Sequence, residues 1–190
     1  RSVTIEGNFI SDAAGDFDSN TVFFDGATTI SGGQNPIFYN AQVNSGASLN
    51  LGSGNVIFTG TGSNTLVILG TLTGGSGTVQ FTGTGTTISG GGSKSFNNIQ
   101  IAGDVTFPNS NVNVAGNWSF SSGTFNAGTG TITMSGGNQN IGSGADFFNL
   151  TIAGTDTKTL LGTLFVNNNL IINSTLDVSG TDYGIFLEGD

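Results

Sequence analysis

The sequence predicts an all-β protein, folded as a right-handed parallel β-solenoid of about ten coils with about 18 residues each. Three observations predict this class. Gly, Ser, Thr and Asn supply 101 of the 190 residues, short apolar segments recur regularly between them, and longer phrases repeat along the chain. Strong helix formers are scarce, and no window of about 11 residues has helical periodicity. We expect a single domain spanning residues 1–190.

About 20 short alternating segments, rich in Val, Ile, Phe and Thr, follow one another about every nine or ten residues. Gly, Ser or Asn separates them, which is typical of strands of about 3 to 6 residues joined by turns. The clearest segments, in chain order, are Val3–Ile5, Val22–Phe24, Leu49–Leu51, Val56–Phe58, Leu66–Leu69, Val79–Phe81, Val112–Val114, Trp118–Phe120, Ile132–Met134, Leu164–Val166, Leu176–Val178 and Ile185–Leu187.

A phrase of the form Phe-x-Asn-apolar-x-apolar occurs three times. Its Phe and Asn positions are Phe38 and Asn40, Phe96 and Asn98, and Phe147 and Asn149. Each Phe is expected to stack in a core ladder, and each Asn to hydrogen-bond the backbone of a turn or another Asn.

A second phrase precedes each copy of the first, at residues 20–24, 77–81 and 130–134. Together the two phrases define macro-repeats of about 54 residues, approximately 20–76, 77–129 and 130–183, which equals three coils of about 18 residues. The stacked coils of a solenoid pair in parallel, about 4.8 Å apart.

The competing fold is an antiparallel β-sandwich, or a barrel, built from hairpins. Asn-Gly is the strongest hairpin signal, yet it is absent from a chain with 22 Asn and 33 Gly, and Asp-Gly occurs only at Asp25-Gly26. The turn chemistry therefore favours the solenoid.

The two ends of the chain resemble each other. Residues 3–8 (VTIEGN) match residues 185–190 (IFLEGD), 182 residues later, which is ten coils of about 18 residues. Both ends therefore fall at the same position within a coil, so the last strand of one copy could pair with the first strand of another. This predicts an assembly interface at Val3, Ile5, Phe9, Ile185 and Leu187. A longer repeat protein trimmed at coil boundaries, and a chance match, stay open as alternatives.

Residues 116–132 and 147–154 resemble repeats in large, secreted, adhesin-like bacterial surface proteins. The resemblance covers nearly the whole chain but rests on motifs of low complexity. It implies a parallel β-solenoid stalk, an extracellular or cell-surface setting, and a structural or adhesive role. It supplies no catalytic residues.

Composition excludes several functions. Without His or Cys, the chain lacks the ligands and nucleophile–base pairs of zinc, haem, iron–sulfur and Ser-His-Asp chemistry. A net charge of −9, with only three Lys and Arg, argues against nucleic-acid partners. No apolar run approaches the ~18 residues of a membrane-spanning helix. We therefore predict no cofactor and no enzymatic activity.

Polysaccharide hydrolases need paired carboxylates, but the acidic residues do not recur at a coil spacing. Lyases need a cation, and Arg1 is terminal while Lys94 and Lys158 fall in Ser- and Thr-rich stretches expected to be turns. Asp12, Asp16 and Asp18 are weak calcium candidates, because they lack the spacing of an EF-hand or a calcium-binding β-roll.

Thr-x-Thr arrays raise the possibility of ice binding. They begin at Thr59, Thr71, Thr82, Thr129 and Thr155, positions that share no common step of about 18 residues. Since an ice-binding face needs its Thr in phase on successive coils, the sequence counts against it.

The leading hypothesis is thus a structural subunit of an extracellular fibre, stalk or surface layer that assembles with itself, head to tail. The alternative is an adhesin segment that binds surface glycans. A polysaccharide-active enzyme and an ice-binding protein rank below these two.

Overall fold

The computed structural model describes residues 2–12, 16–180 and 183–188, and every strand pair in them is parallel. The predicted parallel β-solenoid is confirmed, and the hairpins of a sandwich are absent from these residues. The strands are β1 (Val3–Ile5), β2 (Phe9–Ile10), β3 (Asp16–Phe24), β4 (Ala27–Ser31), β5 (Ile37–Val43), β6 (Ser48–Asn50), β7 (Val56–Phe58), β8 (Gly62–Ile68), β9 (Thr71–Thr73), β10 (Thr78–Phe81), β11 (Thr84–Ser89), β12 (Ser93–Phe96), β13 (Asn98–Ile101), β14 (Asp104–Thr106), β15 (Val112–Val114), β16 (Trp118–Phe120), β17 (Phe125–Asn126), β18 (Thr131–Met134), β19 (Gln139–Ile141), β20 (Asp146–Ile152), β21 (Thr157–Leu160), β22 (Leu164–Ile172), β23 (Thr175–Asp177) and β24 (Ile185–Leu187).

The strands form three faces, which each coil visits in the same order. Face A contains β7, β10, β13, β16, β19, β21 and β23; face B contains β8, β11, β14 and β17; and face C contains β2, β4, β6, β9, β12, β15 and β18. The long strands β3, β5, β20 and β22 bend around a corner and contribute to two faces each.

The coils number about nine and differ in length. The coil that brings Ser95 into register with Asn113 is short, whereas the coil that brings Ala41 into register with Leu66 is the longest. The expected coil of about 18 residues is therefore the lower limit. Strand pairing sets the register of the strands but not the length of the corners between them. Extra residues in a surface corner cost little loop-closure entropy, so the coils can differ in length.

Alternation along each strand builds one continuous core. In β7, for example, Val56 and Phe58 are buried while Ile57 between them is half-buried on the outside. Aromatic rings stack along the axis, with centroid distances of 5.8 Å between Phe38 and Phe58 and 5.6 Å between Phe58 and Phe81. Each fully buried side chain of this size contributes about 1.5–3 kcal/mol to folding.

The three copies of the repeated phrase occupy three different corners. Phe38 lies on face A, Phe96 on face C, and Phe147 on the segment of β20 that continues face B. From each copy to the next the chain passes along eight faces in succession, with a bent strand such as β5 counted once for each of its two faces. Eight faces are two complete coils and two further faces. The phrase is therefore a corner motif, and its copies do not stack on one another.

Each of these Phe residues packs with other rings instead. Centroid distances are 5.8 Å from Phe38 to Phe58, 6.2 Å from Phe96 to Phe81, and 5.0 Å from Phe147 to Trp118. All three side chains are buried, so their role is to fill the core at the corners.

Asn side chains serve the backbone at the corners. The Oδ1 of Asn98 accepts a hydrogen bond from the N–H of Asn117 at 2.8 Å, and the Oδ1 of Asn117 accepts one from Asn140 at 2.7 Å. Asn149 donates to the carbonyls of Thr129 and Gly130, at 3.2 and 3.3 Å. These amides satisfy groups that turn away from the strand ladder.

Candidate functional site

The first and last strands of the described solenoid lie on the same face. Strand β1 pairs with residues 22–24 of β3, which pair with residues 41–43 of β5 on face B. Strand β24 pairs with residues 164–166 of β22, which continue the segment of β20 that lies next to β17. Both end strands are therefore on face B, and their phases around the solenoid axis coincide.

Inward apolar side chains are exposed on the last described strands. Leu187 is 59% exposed and Ile185 38%, whereas Val166 and Leu164, one coil below, are buried. Ile172 is likewise half exposed above the buried Ile152. A further coil stacked here would bury these apolar side chains.

An outward-facing aromatic pair lies beside them. The rings of Phe165 and Phe186 stack with a centroid distance of 5.2 Å and an interplanar angle of 15°. Phe186 is 54% exposed, so one side of this stack is open at the end.

The first described strands also expose inward apolar side chains, but to a smaller extent. Val3 is 41% exposed above the buried Val22, while Ile5 and Phe9 are half-buried. Phe9 packs on Phe17 and Phe38, with centroid distances of 5.6 and 6.0 Å. The predicted interface residues thus form two patches, Val3, Ile5 and Phe9 at one end and Ile185 and Leu187 at the other.

Sequence reasoning missed a second constellation, the two buried lysines. Lys94 and Lys158 are inward residues of β12 and β21, not residues of turns. Lys158 Nζ donates to the carbonyls of Gly136, Gly137 and Thr155 at 2.6–2.9 Å.

The ammonium of Lys94 is held similarly. It donates to the carbonyls of Gly90 and Gly92 at 2.6 and 2.8 Å and to Ser110 Oγ at 3.1 Å. Burial lowers the pKa of Lys94, and it lowers the pKa of Lys158 against an opposing effect of the Asp156 carboxylate. The Gly-rich turn presents carbonyls to a cation, the reverse of a phosphate-binding loop.

Gln139 has the same role on the coil before Lys158, with which it is in register. Its amide nitrogen donates to the carbonyls of Val114, at 3.0 Å, and Gly116, and its Oε1 accepts the N–H of Gly136. An inward polar side chain thus satisfies the Gly-rich corner on consecutive coils.

The acidic residues are distributed over the molecule. Asp104 and Asp146 lie on face B strands, and Asp177 lies on face A. Hydrogen bonds from Ser179 lower the pKa of Asp177.

Of the calcium candidates, Asp12 is exposed, while the side chains of Asp16 and Asp18 lie outside the described residues. Among the residues that the structure describes, no three His, Cys, Asp or Glu come together as metal ligands.

Shallow grooves run between the coils. One, of about 410 Å³, is lined in places by Phe125, Phe148, Asp146, Asn126 and Asn167. Two others, of about 440 Å³ each, are lined mainly by Gly, Ser, Asn and Thr.

The described residues contain no helix long and apolar enough to cross a membrane. Comparison with protein families, curated proteins and solved structures finds no match to this chain.

Proposed function

We propose that this chain is a structural segment of an extracellular fibre, stalk or surface layer, in which solenoid ends stack head to tail. The observation that carries the proposal is the matched phase of the first and last described strands, both of which expose apolar side chains. Strands β1 and β24 each have three residues on face B, with Val3 and Ile5 inward in one and Ile185 and Leu187 inward in the other.

The stacking has a simple physical driving force. The end strands carry unpaired backbone N–H and C=O groups, which another parallel strand can satisfy. The same contact would bury the exposed Leu187 and Val3, and a fully buried side chain of this kind contributes about 1.5–3 kcal/mol. Because the two ends are different surfaces, the contact does not close and propagates as a fibre.

The extracellular setting belongs to the proposal and rests on the resemblance of residues 116–132 and 147–154 to bacterial surface repeats. A surface of Thr, Asn, Ser and Gly with few charges agrees with it. The continuous ladder and core supply stiffness along the axis, so the role is mechanical.

Lysine substitutions at the ends test the proposal. Ile5→Lys and Leu187→Lys each place a charge on one stacking surface, and each variant should stay monomeric in sedimentation velocity while the wild type polymerises. Leu69→Lys is the matched control, because Leu69 is 46% exposed at a corner far from both ends; it should polymerise like the wild type.

Mixing the two end variants gives a sharper result. Ile5→Lys keeps an intact C-terminal end and Leu187→Lys an intact N-terminal end, so the mixture should form dimers and nothing longer. A wild type that is monomeric at high concentration, or end variants that polymerise unchanged, would contradict the proposal.

The glycan-binding alternative is favoured by one observation, the groove beside Phe125 and Phe148, where an aromatic side chain, the Asp146 carboxylate and two amides meet. A glycan array with the wild type and Phe148→Ala tests it. Binding that Phe148→Ala abolishes would support this second function.

A further inference from the structure

The strand ladder of face B is interrupted between β17 and β20. Strand β17 pairs with β14 on one side, and no described backbone pairing joins it to β20 on the other. It has only two residues, because turns at Gly123 and Gly128, with φ of +90° and +59°, enclose it. The groove of about 410 Å³ lies at this break. This groove, which we call the face B groove, is lined by residues 124–128, Asp146, Phe148 and Asn167.

Two aromatic side chains line the face B groove. Phe125 is in register with the buried Val105 and packs against the core, yet it is only half-buried at the break in the ladder. Phe148 is also half-buried, and no other described ring packs against it. The face B groove therefore offers a ligand aromatic surface that the core leaves uncovered.

Three polar side chains lie beside these rings. Asp146 is exposed, and no donor or cation among the described residues pairs with its carboxylate. The amide of Asn167 is exposed too and makes no hydrogen bond within the same part of the chain. Asn126 accepts the N–H of Gly128 through Oδ1 at 3.0 Å, and its amide N–H groups stay available as donors. An unpaired carboxylate with amides around it can hold both an ammonium group and hydroxyl groups.

The charge of the face B groove selects among ligands. The chain has a net charge of −9, and neither Lys94 nor Lys158 lines the groove. An acidic ligand such as a uronic acid would meet the Asp146 carboxylate and the field of the whole chain with no cation to balance it. A protonated amine is attracted by the carboxylate, by this field, and by the face of an aromatic ring within about 6 Å.

We propose that the face B groove binds the protonated amine of an amino sugar in a glycan. The Asp146 carboxylate accepts hydrogen bonds from the ammonium group, Phe148 packs against the sugar ring, and Asn126 and Asn167 bind its hydroxyls. The inference rests on the glycan-binding alternative proposed above and names its ligand. It does not require the chain to polymerise.

A basic peptide is the other cationic ligand, and it matches the groove less well. Binding several basic side chains requires several free carboxylates, whereas Asp146 is the one acidic residue among those that line the groove. Asp104, on the neighbouring strand β14, already accepts the N–H of Thr124 at 2.8 Å. The remaining polar groups of the groove are amides and a hydroxyl, which suit the hydroxyls of a sugar.

Equilibrium dialysis with two tetrasaccharides tests the inference, because it measures binding by single chains and by fibres alike. The probes are a glucosamine tetrasaccharide and its fully N-acetylated counterpart, at a mildly acidic pH at which the free amines are protonated. The wild type should bind the glucosamine tetrasaccharide about fivefold more tightly, as expected for a partly exposed charge pair.

Three variants place this preference on individual side chains. Asp146→Asn should remove the preference, whereas Asp177→Asn, which changes the net charge equally but lies on face A, should keep it. Phe148→Ala should weaken the binding of both tetrasaccharides, because the ring contacts the sugar and not only its amine. Circular dichroism spectra must show the same β-structure in all of these proteins.

The outcomes separate this ligand class from glycan binding itself. Equal affinity of the wild type for both tetrasaccharides overturns the inference and leaves the glycan-binding alternative standing, while binding of neither overturns both. A preference that Asp177→Asn loses as fully as Asp146→Asn belongs to the net charge and overturns the groove as its site. Tetralysine that binds as tightly as the glucosamine tetrasaccharide, and depends on Asp146, overturns the sugar as the ligand.

Discussion

At the residue scale, the two buried lysines show that a cationic side chain can stabilise the fold, in a chain that has only three Lys and Arg. Lys158 is fully buried, yet its three donors each find a carbonyl. A buried charge is tolerated when it is fully hydrogen-bonded, and its removal leaves its partners unsatisfied. The ammonium thus stabilises a corner by hydrogen-bonding carbonyls that lie outside the strands.

Replacing this lysine tests its contribution. Lys158→Met keeps the apolar stem but leaves the carbonyls of Gly136, Gly137 and Thr155 without their donor, and we expect a loss of about 2–4 kcal/mol in the free energy of unfolding. Lys158→Gln should lose less, because Gln139 performs this role one coil earlier. Urea unfolding monitored by circular dichroism measures both, and equal stabilities for wild type and Lys158→Met would contradict the account.

The same lysines predict a dependence of stability on pH. Burial lowers their pKa below the ordinary value of 10.5, so between the folded-state pKa and 10.5 the unfolded chain binds more protons. The free energy of unfolding should therefore rise with pH across this window. A double variant, Lys94→Met with Lys158→Met, should lack the rise, and an unchanged slope in that variant would assign it to other groups.

The sequence contains a signal for these inward lysines that residue type alone hides. In Ser93-Lys94-Ser95-Phe96 the lysine has the same parity as the inward Phe96, and in Thr157-Lys158-Thr159-Leu160 the same parity as Leu160. Strand alternation therefore outweighed the polar composition that suggested turns.

At the element scale, the corners decide where coils can vary and where they cannot. Gly90 has a φ of +92°, and a Cβ there would lie 2.2 Å from the carbonyl oxygen of Ile68 on the preceding coil. Its neighbour Gly91 has open space around the Cβ position. One residue of the turn thus contacts the coil below, and the next faces solvent.

Alanine substitutions at these two glycines should separate the effects. Gly90→Ala forces either a strained backbone or a displaced coil, so we expect a loss of about 2–4 kcal/mol in the free energy of unfolding. Gly91→Ala meets neither obstacle and should change stability by no more than about 1 kcal/mol. Thermal unfolding of the two variants is the measurement, and similar melting temperatures would contradict this description of the corner.

Strands were easier to predict than corners. Segments such as Val56–Phe58 and Ile185–Leu187 coincide with β7 and β24, because alternation of apolar and polar residues is a local property. Coil length depends on the corner loops, whose length the strand pairing does not fix. The sequence therefore predicted a spacing of three coils for the repeated phrase, whereas the structure shows two coils and two further faces. The end strands were easier still to place, because the matching phrases at residues 3–8 and 185–190 predict the same phase of the repeat for both.

At the scale of the whole molecule, the solenoid is a column whose sides and ends differ in character. Its sides are mainly polar, with a few exposed apolar residues such as Leu69, while the first and last described strands expose apolar residues such as Val3 and Leu187. About nine coils separate β1 from β24, and both lie on face B. Among the described residues, face B has one strand more than face A or face C, so we expect the contact between two columns to be made chiefly by the end strands of face B.

Electron microscopy of the assembled wild-type chain tests this stacking most directly. We expect unbranched fibres with an axial repeat of about 48 Å, because the junction adds one rung to the nine coils of the chain and each rung rises about 4.8 Å. The Leu187→Lys variant, prepared in parallel, should yield single particles slightly shorter than that repeat. Isolated particles in the wild-type sample, or fibres whose repeat does not correspond to nine coils and a junction, would contradict the account.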